Sequence, residues 1–448
     1  MKRGVARGVA NSSEERYPSR ANCSVRGHRI RIRPVHPSRV CQASSRLLKI
    51  VSSDVAPFTI PMALALSAFQ RLTPLGVASA RRSLAPLSRP ITHTRARGMS
   101  VSASADEKIV LVTGSTGRVG KEVVSRLSKM PGWRVRAATR DKADYATSLG
   151  AHETVVFDLE DESTWAPAMK DVTHLFSSTQ DKYIAQHMAF AKWCGETPAV
   201  ADRLRHVVRI SCFGADTNTN AYDPGVHVSR DGAQIPLMLQ HYWWSEECFV
   251  DAGLGDRLTG VRGNFYMNHL LKNELESIKT AGTFASPLGD CKNSFVSCND
   301  MGEAAVTCLV EGPERHGNKF YDICGAQSTS MADVASILTE ALATPLAREV
   351  VPDAAGKKVT YVPQDPAKFE EDFGSTRAEF FEYLRNGFYS RCSPDFYNLT
   401  GKRPLTYFEY LTTPGAAGDT GLAELFSAQG AIFTKGVDQF KDLKDVKK

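Results

Sequence analysis

Residues 113–120 read TGSTGRVG and lie between two segments of different periodicity, which constrains the fold more than any other feature. The preceding KIVLVT at 108–113 is a short apolar run, as a buried parallel strand requires. The following segment, 119–129, places its apolar residues on one helical face. A strand, a glycine-rich turn and a helix in this order predict a dinucleotide-binding unit that holds phosphate groups at the helix N-terminus.

Each glycine has an expected role in that turn. Gly114 permits the tight turn, Gly117 leaves room for the backbone to approach a pyrophosphate, and Gly120 lets the helix pack close to the strand. The amide groups and the positive dipole end of the helix then face the phosphates. The other loop residues predicted to contact the cofactor are Ser115, Thr116, Arg118 and Val119.

The alternation of strands and helices continues to residue 262 and predicts an α/β fold, a Rossmann doubly wound parallel sheet with helices on both faces. The predicted strands are 108–113, 133–139, 154–157, 172–177, 205–211 and 257–262. The predicted helices are 119–129, 142–149, 162–170, 180–194 and 235–252.

The pattern changes after residue 262, and we expect a smaller mixed α/β substrate lobe that closes over the cofactor. Its predicted helices are 300–311, 331–343 and 366–389, and its predicted strands lie near 294–297, 318–323 and 348–351. The chain is therefore divided into a targeting or disordered segment 1–105, an NADP-binding Rossmann domain 106–262, the substrate-side lobe 263–412 and a C-terminal tail 413–448. We expect the tail to be partly helical and loosely attached.

The charge of the chain is distributed unevenly. Residues 1–105 carry 18 Lys or Arg and three acidic residues, whereas the remainder carries 37 basic and 46 acidic residues. The globular part is thus mildly acidic, which argues against nucleic acid as its partner. From Met62 to Ala105 there is no Asp or Glu, and arginines are spaced among Ser, Ala and Leu. This composition is typical of an organelle transit peptide, and a merely disordered basic tail is the alternative.

Two further features bear on the compartment. The apolar run at 61–69 is far shorter than the ~20 residues needed to cross a bilayer, so we predict no transmembrane segment. Eight of the ten cysteines follow residue 105 and none forms a CxxC pair, which indicates reduced core thiols and predicts neither a disulfide framework nor a metal site. We expect an organelle matrix or stroma, and the Ser-rich, acid-free segment favours a chloroplast over a mitochondrion.

The end of the second predicted strand bears on the choice between NAD and NADP. An NAD site uses a carboxylate for the ribose 2′-hydroxyl, and an NADP site uses a cation for the 2′-phosphate. Arg140 lies 20 residues after Gly120, with Lys142 nearby. Asp141 could bind the hydroxyl instead, whereas Arg118 adds a second cation in the loop. Because Arg makes bidentate contacts with phosphate, we expect NADP(H).

Two other strand ends carry candidate cofactor contacts. Asp158 and Leu159 follow the third strand, where an adenine ring would lie. Asp158 would accept a hydrogen bond from the adenine amino group or cap the helix at 162–170, and the two roles are compatible. Ser178, after the fourth strand, would line the nicotinamide side.

A set of fragments with consistent order and spacing resembles a known family. They are TGSTGRVG at 113–120, HVVRIS at 206–211, SEECFVDAGL at 245–254, VRGNFYMN at 261–268, FVSCNDMGEAA at 295–305 and LTGKRPLTYFEYL at 399–411. Together they resemble the NmrA-like family, a group of atypical short-chain dehydrogenases/reductases, over nearly all of the chain that follows the targeting segment. The resemblance implies the Rossmann fold and a nicotinamide dinucleotide. It leaves the reaction open, because some members resemble quinone, azo-dye or alkaloid reductases and others bind NADP without turnover.

The resemblance also points to a catalytic position. Classical relatives pair a Tyr that donates a proton with a Lys one helical turn on. In the corresponding helix Tyr242 falls where NmrA-like members often have His, and Glu246 stands in place of the Lys. A carboxylate there would raise the pKa of the phenol, so the usual proton-relay pair is absent. His241 is a neighbouring alternative, but it points about 100° away on the helix.

Tyr242 can still donate a proton to a developing alkoxide or enolate, with Ser211 at the end of the fifth strand orienting the substrate or Tyr242 itself. The alternative is that Tyr242, Trp243 and Trp244 are packed aromatics. The loop after the sixth strand would lie against the nicotinamide and complete an aromatic pocket for a flat, apolar substrate. Its residues are Asn264, Phe265, Tyr266 and Asn268.

Two functions fit the sequence. The first is an organellar NADPH-dependent reductase that transfers hydride to a quinone-like or conjugated carbonyl small molecule. The second is a non-catalytic NADP-binding redox sensor, or an assembly factor with a protein partner in an organelle complex. Glu246 favours the second, whereas the intact glycine loop and the aromatic pocket favour the first, which we prefer.

Overall fold

A computed structural model describes residues 108–215 and 236–427, apart from the side chains of Asp181 and Leu270. The segment 1–105, with its predicted targeting role, and the end of the tail at 428–448 lie outside the described residues. Within the described ranges, no helix combines the length and apolar character that a membrane span needs.

The strands are β1 Lys108–Val112, β2 Trp133–Thr139, β3 Glu153–Val156, β4 His174–Ser177, β5 His206–Cys212, β6 Leu258–Gly263, β7 Thr283–Ser286, β8 Lys319–Ile323 and β9 Thr360–Pro363. The helices are α1 Arg118–Leu127, α2 Ala143–Ser148, α3 Trp165–Met169, α4 Ile184–Glu196, α5 Pro198–Ala201, α6 Leu237–Phe249, α7 His269–Asn273, α8 Leu275–Ala281, α9 Cys298–Glu311, α10 Pro313–His316, α11 Met331–Leu342, α12 Pro345–Val350, α13 Pro366–Phe373, α14 Ser375–Arg385, α15 Asp395–Thr400, α16 Tyr407–Thr412 and α17 Gly421–Phe426.

The main sheet has seven parallel strands in the order β3-β2-β1-β4-β5-β6-β8, which confirms the predicted fold class. Residues 110–112 of the central strand β1 are fully buried, because helices cover both faces of the sheet. One apolar layer lies under α1, α9 and α15, and the other lies under α3, α4 and α6. The chain winds in opposite directions on the two sides of the β1–β4 pair. The loops that follow β1 and β4 therefore diverge, and they leave a crevice at the carboxyl edge, where ligands of such sheets bind.

The sheet extends beyond the segment that the sequence assigned to it. The strand predicted at 318–323 is present as β8, and it pairs with β6 at the edge of the main sheet. Helix α9 also comes from the predicted substrate-side lobe, yet it packs on α1 over the same sheet. The chain after residue 262 therefore completes the Rossmann unit before it forms the second lobe.

The second lobe contains a small parallel sheet of β7 and β9, both of which the sequence missed. They are four residues long, and neither carries a long apolar run. The strand expected near 294–297 is reduced to an isolated bridge between Val296 and Tyr266.

Two other predictions for this lobe are wrong. The strand expected at 348–351 is largely helix α12, which starts because Pro345 occupies the first turn and the Thr344 hydroxyl caps it. The helix expected at 366–389 is broken into α13 and α14 at Gly374, whose φ of +88° no helix continues through.

The tail is not loosely attached over residues 413–427. Leu422 and Leu425 of α17 are fully buried in the core of the second lobe, so this stretch belongs to the folded unit.

Helix α16 gives a direct test of local stability. Thr406 and Glu409 form a capping box in which each side chain satisfies the other's backbone N–H. We expect Thr406→Ala to lower the free energy of unfolding by about 1 kcal/mol, measured by urea unfolding. Thr412→Ala at the other end of the helix is the control, because that hydroxyl only donates back to the carbonyl of Phe408. Equal losses in the two variants would contradict this view of the cap.

Candidate functional site

The glycine-rich loop joins β1 to α1 as a tight turn. Gly114 has a φ of +60°, a conformation that favours glycine, and its carbonyl accepts a hydrogen bond of 2.8 Å from the N–H of Gly117. Helix α1 begins at Arg118, with Gly117 as its N-cap. The predicted strand, turn and helix are therefore present, and the N-terminus of α1 lies at the carboxyl edge of β1.

The role expected of Gly117, to leave room for a pyrophosphate, stays a prediction, but its own N–H is not among the free donors. Its N–H is used inside the turn, whereas the N–H groups of residues 118–120 are those that an α-helix leaves without an intrahelical partner in its first turn. The side chain of Val119 packs in the apolar layer under the helix, and this residue offers only its main chain. Thr116 and Arg118 are half-buried beside these amides.

Gly120 allows the helix to approach the turn. A Cβ atom at this position would lie 2.0 Å from the carbonyl oxygen of Gly114 and 3.0 Å from the Cα of Ser115. Both contacts are with backbone, which cannot move aside as a flexible side chain would. The position therefore excludes every side chain.

Two hydroxyl groups tie the loop to neighbouring strands. Ser115 is fully buried, and its Oγ donates to the carbonyl of Ala138 on β2 at 2.7 Å, so its side chain supports the loop and does not face a cofactor. Thr113, which the sequence analysis did not single out, donates to the carbonyl of Phe176 at 3.1 Å and accepts from the N–H of Ser178 at 2.9 Å. Ser178 is thereby brought against the glycine loop.

The end of β2 exposes the residues expected to select the cofactor. Arg140 and Asp141 line a small surface pocket, and Lys142 is exposed beside it. The Arg140 guanidinium lies 3.4 Å from the hydroxyl of Tyr183 and 3.8 Å from the carboxylate of Asp158. The hydrogen bond to Tyr183 is the main cause that raises the pKa of Arg140, so its charge is secure. These long contacts leave the guanidinium able to turn towards a phosphate.

Asp158 forms a local turn after β3. Its Oδ1 accepts a hydrogen bond of 3.0 Å from the N–H of Glu160. The helix cap expected of Asp158 is supplied instead by Asp161, whose Oδ1 accepts from the N–H of Ser163 at 3.1 Å. The capping role was therefore assigned to the wrong aspartate, and the adenine contact stays a prediction. Leu159 is half-buried against the apolar layer on this side of the sheet.

Ser211 lies at the end of β5, where the crevice opens. The residue is 4% exposed, and its hydroxyl has no hydrogen-bond partner among the residues that the structure describes. The bond to Tyr242 that would orient the phenol is therefore not formed. A buried hydroxyl without a partner costs about 1–3 kcal/mol, which a ligand atom would recover. Ser211 is thus available to a substrate.

Tyr242 lies in the middle of α6 and is half-buried. The adjacent Trp243 and Trp244 are buried and pack with Ala215, so the packing interpretation holds for both tryptophans. The Tyr242 side chain is close enough to Tyr389 to contribute to the raised pKa of that residue, after burial and Cys212. Tyr242 packs against the same cluster, but unlike its two neighbours it is only partly buried.

Glu246 does not act on Tyr242 as the sequence suggested. Its carboxylate is fully buried and accepts two hydrogen bonds from Arg262 on β6, at 2.9 and 2.7 Å. The Arg262 guanidinium also stacks over Phe320 at 4.5 Å. This bidentate pair neutralises the carboxylate, so the expected effect on the phenol is removed. Position 246 still carries no Lys, so the Tyr–Lys pair of classical relatives is absent from this helix.

The loop after β6 is engaged within the second lobe. The Asn264 side chain donates to Ser294 Oγ at 2.9 Å and accepts from the N–H of Phe265 at 2.7 Å. The Phe265 ring packs among the aromatic rings of α14, and Tyr266 packs edge-to-face on His269. The side chains of Asn264 and Phe265 are therefore directed into the lobe, contrary to the expected contact with a nicotinamide.

Tyr389 is a buried residue beside the end of β5 that the sequence analysis missed. It is fully buried after α14, donates to the carbonyl of Phe213 at 2.6 Å and lies 3.1 Å from the sulfur of Cys212. Burial raises the pKa of Tyr389, which keeps the phenol protonated as a donor. Arg391 stacks over Phe213 at 4.8 Å. No local pattern could indicate this, since the partners are 176 residues apart.

The chain resembles known proteins over most of its described length. The model of the NmrA-like family matches residues 106–386. An NAD(P)H azoreductase from Xenophilus azovorans is 27% identical over 327 residues, which cover 69% of this chain and 99% of that relative.

Solved structures share the fold. A triphenylmethane reductase from Citrobacter sp., in complex with NADP(H), has a TM-score of 0.50 at 20% identity and covers 67% of this chain and 98% of its own. An NADPH-dependent quinone oxidoreductase from Escherichia coli, in complex with NADPH, has a TM-score of 0.51 at 20% identity and covers 67% of this chain and 97% of its own.

The loop geometry predicts that Gly120→Ala damages dinucleotide binding. The added Cβ would meet the Gly114 carbonyl at 2.0 Å, and overpacking of this kind costs ~1–3 kcal/mol. We expect NADPH affinity, measured by fluorescence titration, to fall about tenfold or more.

Gly255→Ala is the matched control, because its Cβ would meet ordinary contacts from 3.4 Å. Should Gly120→Ala not fold, Gly117→Ala gives a milder test, since its Cβ would lie 3.0 Å from the same oxygen. Unchanged affinity in both loop variants would exclude this loop as the binding site.

Proposed function

Because the chain belongs to the NmrA-like family, we propose that it is an NADPH-dependent reductase that transfers hydride to a flat, conjugated acceptor of the quinone type. The observation that carries the proposal is the crevice itself. Three first-turn amides of α1 open at the carboxyl edge where β1 and β4 part. At the end of the adjacent strand β5 lies the Ser211 hydroxyl, which has no hydrogen-bond partner within residues 108–215 and 236–427.

The residues present fit a phosphorylated dinucleotide. The cradle around Gly114 and Gly120 has no room for side chains, and the amides of residues 118–120 would bind the diphosphate. The exposed Arg140, with Lys142 beside it, would bind the 2′-phosphate. When bound, NADPH supplies the hydride, and the named relatives support the same cofactor class.

The protein's own part in the reaction is to orient the acceptor and to supply a proton. The Ser211 hydroxyl would donate to a carbonyl oxygen of the acceptor and hold it in the crevice. The Tyr242 phenol, partly open on α6, would pass its proton to the oxygen that gains negative charge as hydride arrives. The ring of Tyr242, which is only partly buried, favours a planar substrate beside it.

A second candidate function is a non-catalytic NADP-binding sensor or an assembly factor for an organelle complex. The observation that favours it is the Glu246–Arg262 pair, because the residue one turn after Tyr242 is committed to β6 and no Lys stands there to lower the phenol pKa. Such a protein would bind NADP⁺ and NADPH with very different affinities, and it would not oxidise NADPH with any acceptor.

We place the protein in an organelle matrix or stroma, and in the chloroplast in preference to the mitochondrion. The proposal rests on the acid-free, Arg- and Ser-containing composition from Met62 to Ala105. Fluorescence imaging of the full chain fused to a reporter, compared with a chain that starts at residue 106, tests it. Identical cytosolic distributions of the two fusions would exclude the targeting role.

Cofactor selectivity tests the role of Arg140. We expect Arg140→Ala to weaken NADPH binding about 10- to 100-fold, because it removes a charge-assisted contact worth about 1.5–3 kcal/mol. NADH affinity should not change, since NADH has no 2′-phosphate. Titration of both cofactors by fluorescence gives the ratio.

The control is Arg134→Ala, at the amino end of the same strand β2, which should leave both affinities unchanged. If Arg140→Ala lowered the affinities for NADPH and NADH equally, the guanidinium would not be the group that binds the 2′-phosphate.

Turnover tests the role of Tyr242. We expect Tyr242→Phe to lower kcat for NADPH oxidation with a panel of quinones and enones by about 100-fold or more, as the loss of a general acid does. NADPH affinity should not change, because the phenol is assigned to the acceptor.

Tyr397→Phe is the control, since this tyrosine is 60% exposed on α15. Wild-type kcat in Tyr242→Phe would remove the phenol from the mechanism. A wild-type chain that binds NADPH but oxidises it with no member of the panel would support the sensor instead.

A further inference from the structure

Residues 413–427 follow the segment that matches the family and extend over helix α1. We call this stretch the C-terminal strap. The buried carboxylate of Glu122 on α1 accepts the N–H groups of Ala416 and Ala417, at 2.8 and 3.1 Å. Asp419 of the strap pairs with Lys121 at 3.0 Å. The strap therefore binds the helix whose N-terminus forms the phosphate site.

The strap is held closely enough to exclude solvent. Lys121 and Glu122 are 7% and 1% exposed, although the sequence pattern places them outside the apolar face of α1. A Cβ on Gly415 would lie 2.5 Å from Glu122 Oε1, so the strap passes in direct contact. The contacts also explain why the end of the folded unit lies beyond residue 412.

Helix α17 at the end of the strap is anchored to α7. The ammonium group of Lys272 donates to the carbonyls of Glu424, Leu425 and Ser427, at 2.9, 3.0 and 2.9 Å. Burial first, and then the nearby charge of Arg118, lowers the pKa of Lys272 to about 8. The Arg118 guanidinium is therefore near the ammonium group of Lys272.

The side chain of Glu424 joins three parts of the site. Its carboxylate lies 3.6 Å from Arg118 Nε and 3.6 Å from Lys121 Nζ, and it accepts a bond of 2.7 Å from Asn268 after β6. Although burial acts to lower it, the pKa of Lys121 is raised because Glu424 and Asp419 stabilise the ammonium form. A mostly buried carboxylate therefore sits among the cations at the N-terminal end of α1.

This position opposes the binding of another anion. Arg118 is the first residue of α1 and carries one of the three amides assigned to the diphosphate. A carboxylate beside its guanidinium reduces the positive potential of the helix end, and its low exposure limits screening by solvent. A diphosphate bound at the amides must therefore compete with Glu424 for the charge of Arg118.

We propose that Glu424 is a positioning residue that holds the Arg118 guanidinium on the strap and thereby weakens the hold of the glycine loop on the dinucleotide. The inference rests on the cofactor site of the proposed function. Its consequence is that the strap sets how readily the cofactor exchanges, through charge at the helix end.

The test is Glu424→Gln in the full chain, a variant that keeps the shape and an oxygen for Asn268 but removes the charge. We expect NADPH to bind about 3- to 10-fold more tightly at low ionic strength, with a steeper loss of affinity on addition of salt. Asp419→Asn is the matched control, because among the described residues Asp419 pairs with Lys121 and not with Arg118, and it is half-exposed. Its affinity should stay within about twofold of the wild type.

A double-mutant cycle separates charge from structure. In an Arg118→Gln background the effect of Glu424→Gln should shrink to the part that acts through Lys121 and the helix end, so the two substitutions should be coupled. Unchanged or weaker NADPH binding in a folded Glu424→Gln chain, with normal binding by the wild type, would overturn this inference alone. A wild type that binds no dinucleotide would overturn the proposed function and this inference with it. If thermal unfolding shows that Glu424→Gln does not fold, Glu424→Asp takes its place and should tighten binding by retracting the carboxylate.

Discussion

The close approach of helix α1 to the turn at Gly114 is the contact on which the rest of the site depends. Gly120 meets the Gly114 carbonyl where any Cβ would lie 2.0 Å away, so the helix axis is fixed against the backbone itself. The Thr113 and Ser115 hydroxyls then tie the turn to β4 and β2. The first-turn amides are thereby aimed at the crevice by the sheet, before any ligand arrives. Because these donors are already ordered, anion binding costs little conformational entropy, which strengthens the affinity.

The parts of this arrangement that the sequence predicted are local. A buried run, a glycine triplet and an amphipathic segment are neighbours along the chain, and each carries its own physical preference. The parallel order of the sheet also followed, since repeated strand–helix units leave few other solutions. The end of β2 exposes Arg140 as expected, because its position depends on one strand length. All of these features are determined by residues that are close to one another in the sequence.

The missed features all depend on contacts between distant segments. Glu246 was expected to act on Tyr242 within one helix, but Arg262, on a strand 16 residues later, takes its charge. Asn264 was assigned to the nicotinamide, but Ser294 and the carbonyl of Tyr389 draw its side chain into the second lobe. Lys121 and Glu122 lie outside the apolar face of α1, and they are buried because the strap covers them. In each case a buried polar group pairs with a residue from a distant segment, and the periodicity of the sequence does not predict such a pair.

Hydrogen-bond satisfaction also distinguishes side chains that stabilise the structure of the site from those that can bind a ligand. Glu246 is fully engaged with Arg262, so its charge orients strands and helices and is unavailable to chemistry. Ser211 is also buried but has no hydrogen-bond partner among the described residues, and the contacts that the described residues make with Arg140 are long. Groups left with incomplete partners at the carboxyl edge are those that a ligand can satisfy. Proton donation by Tyr242 then has to occur without a neighbouring lysine, and the pairing of Glu246 is what removes the charge that would otherwise have opposed it.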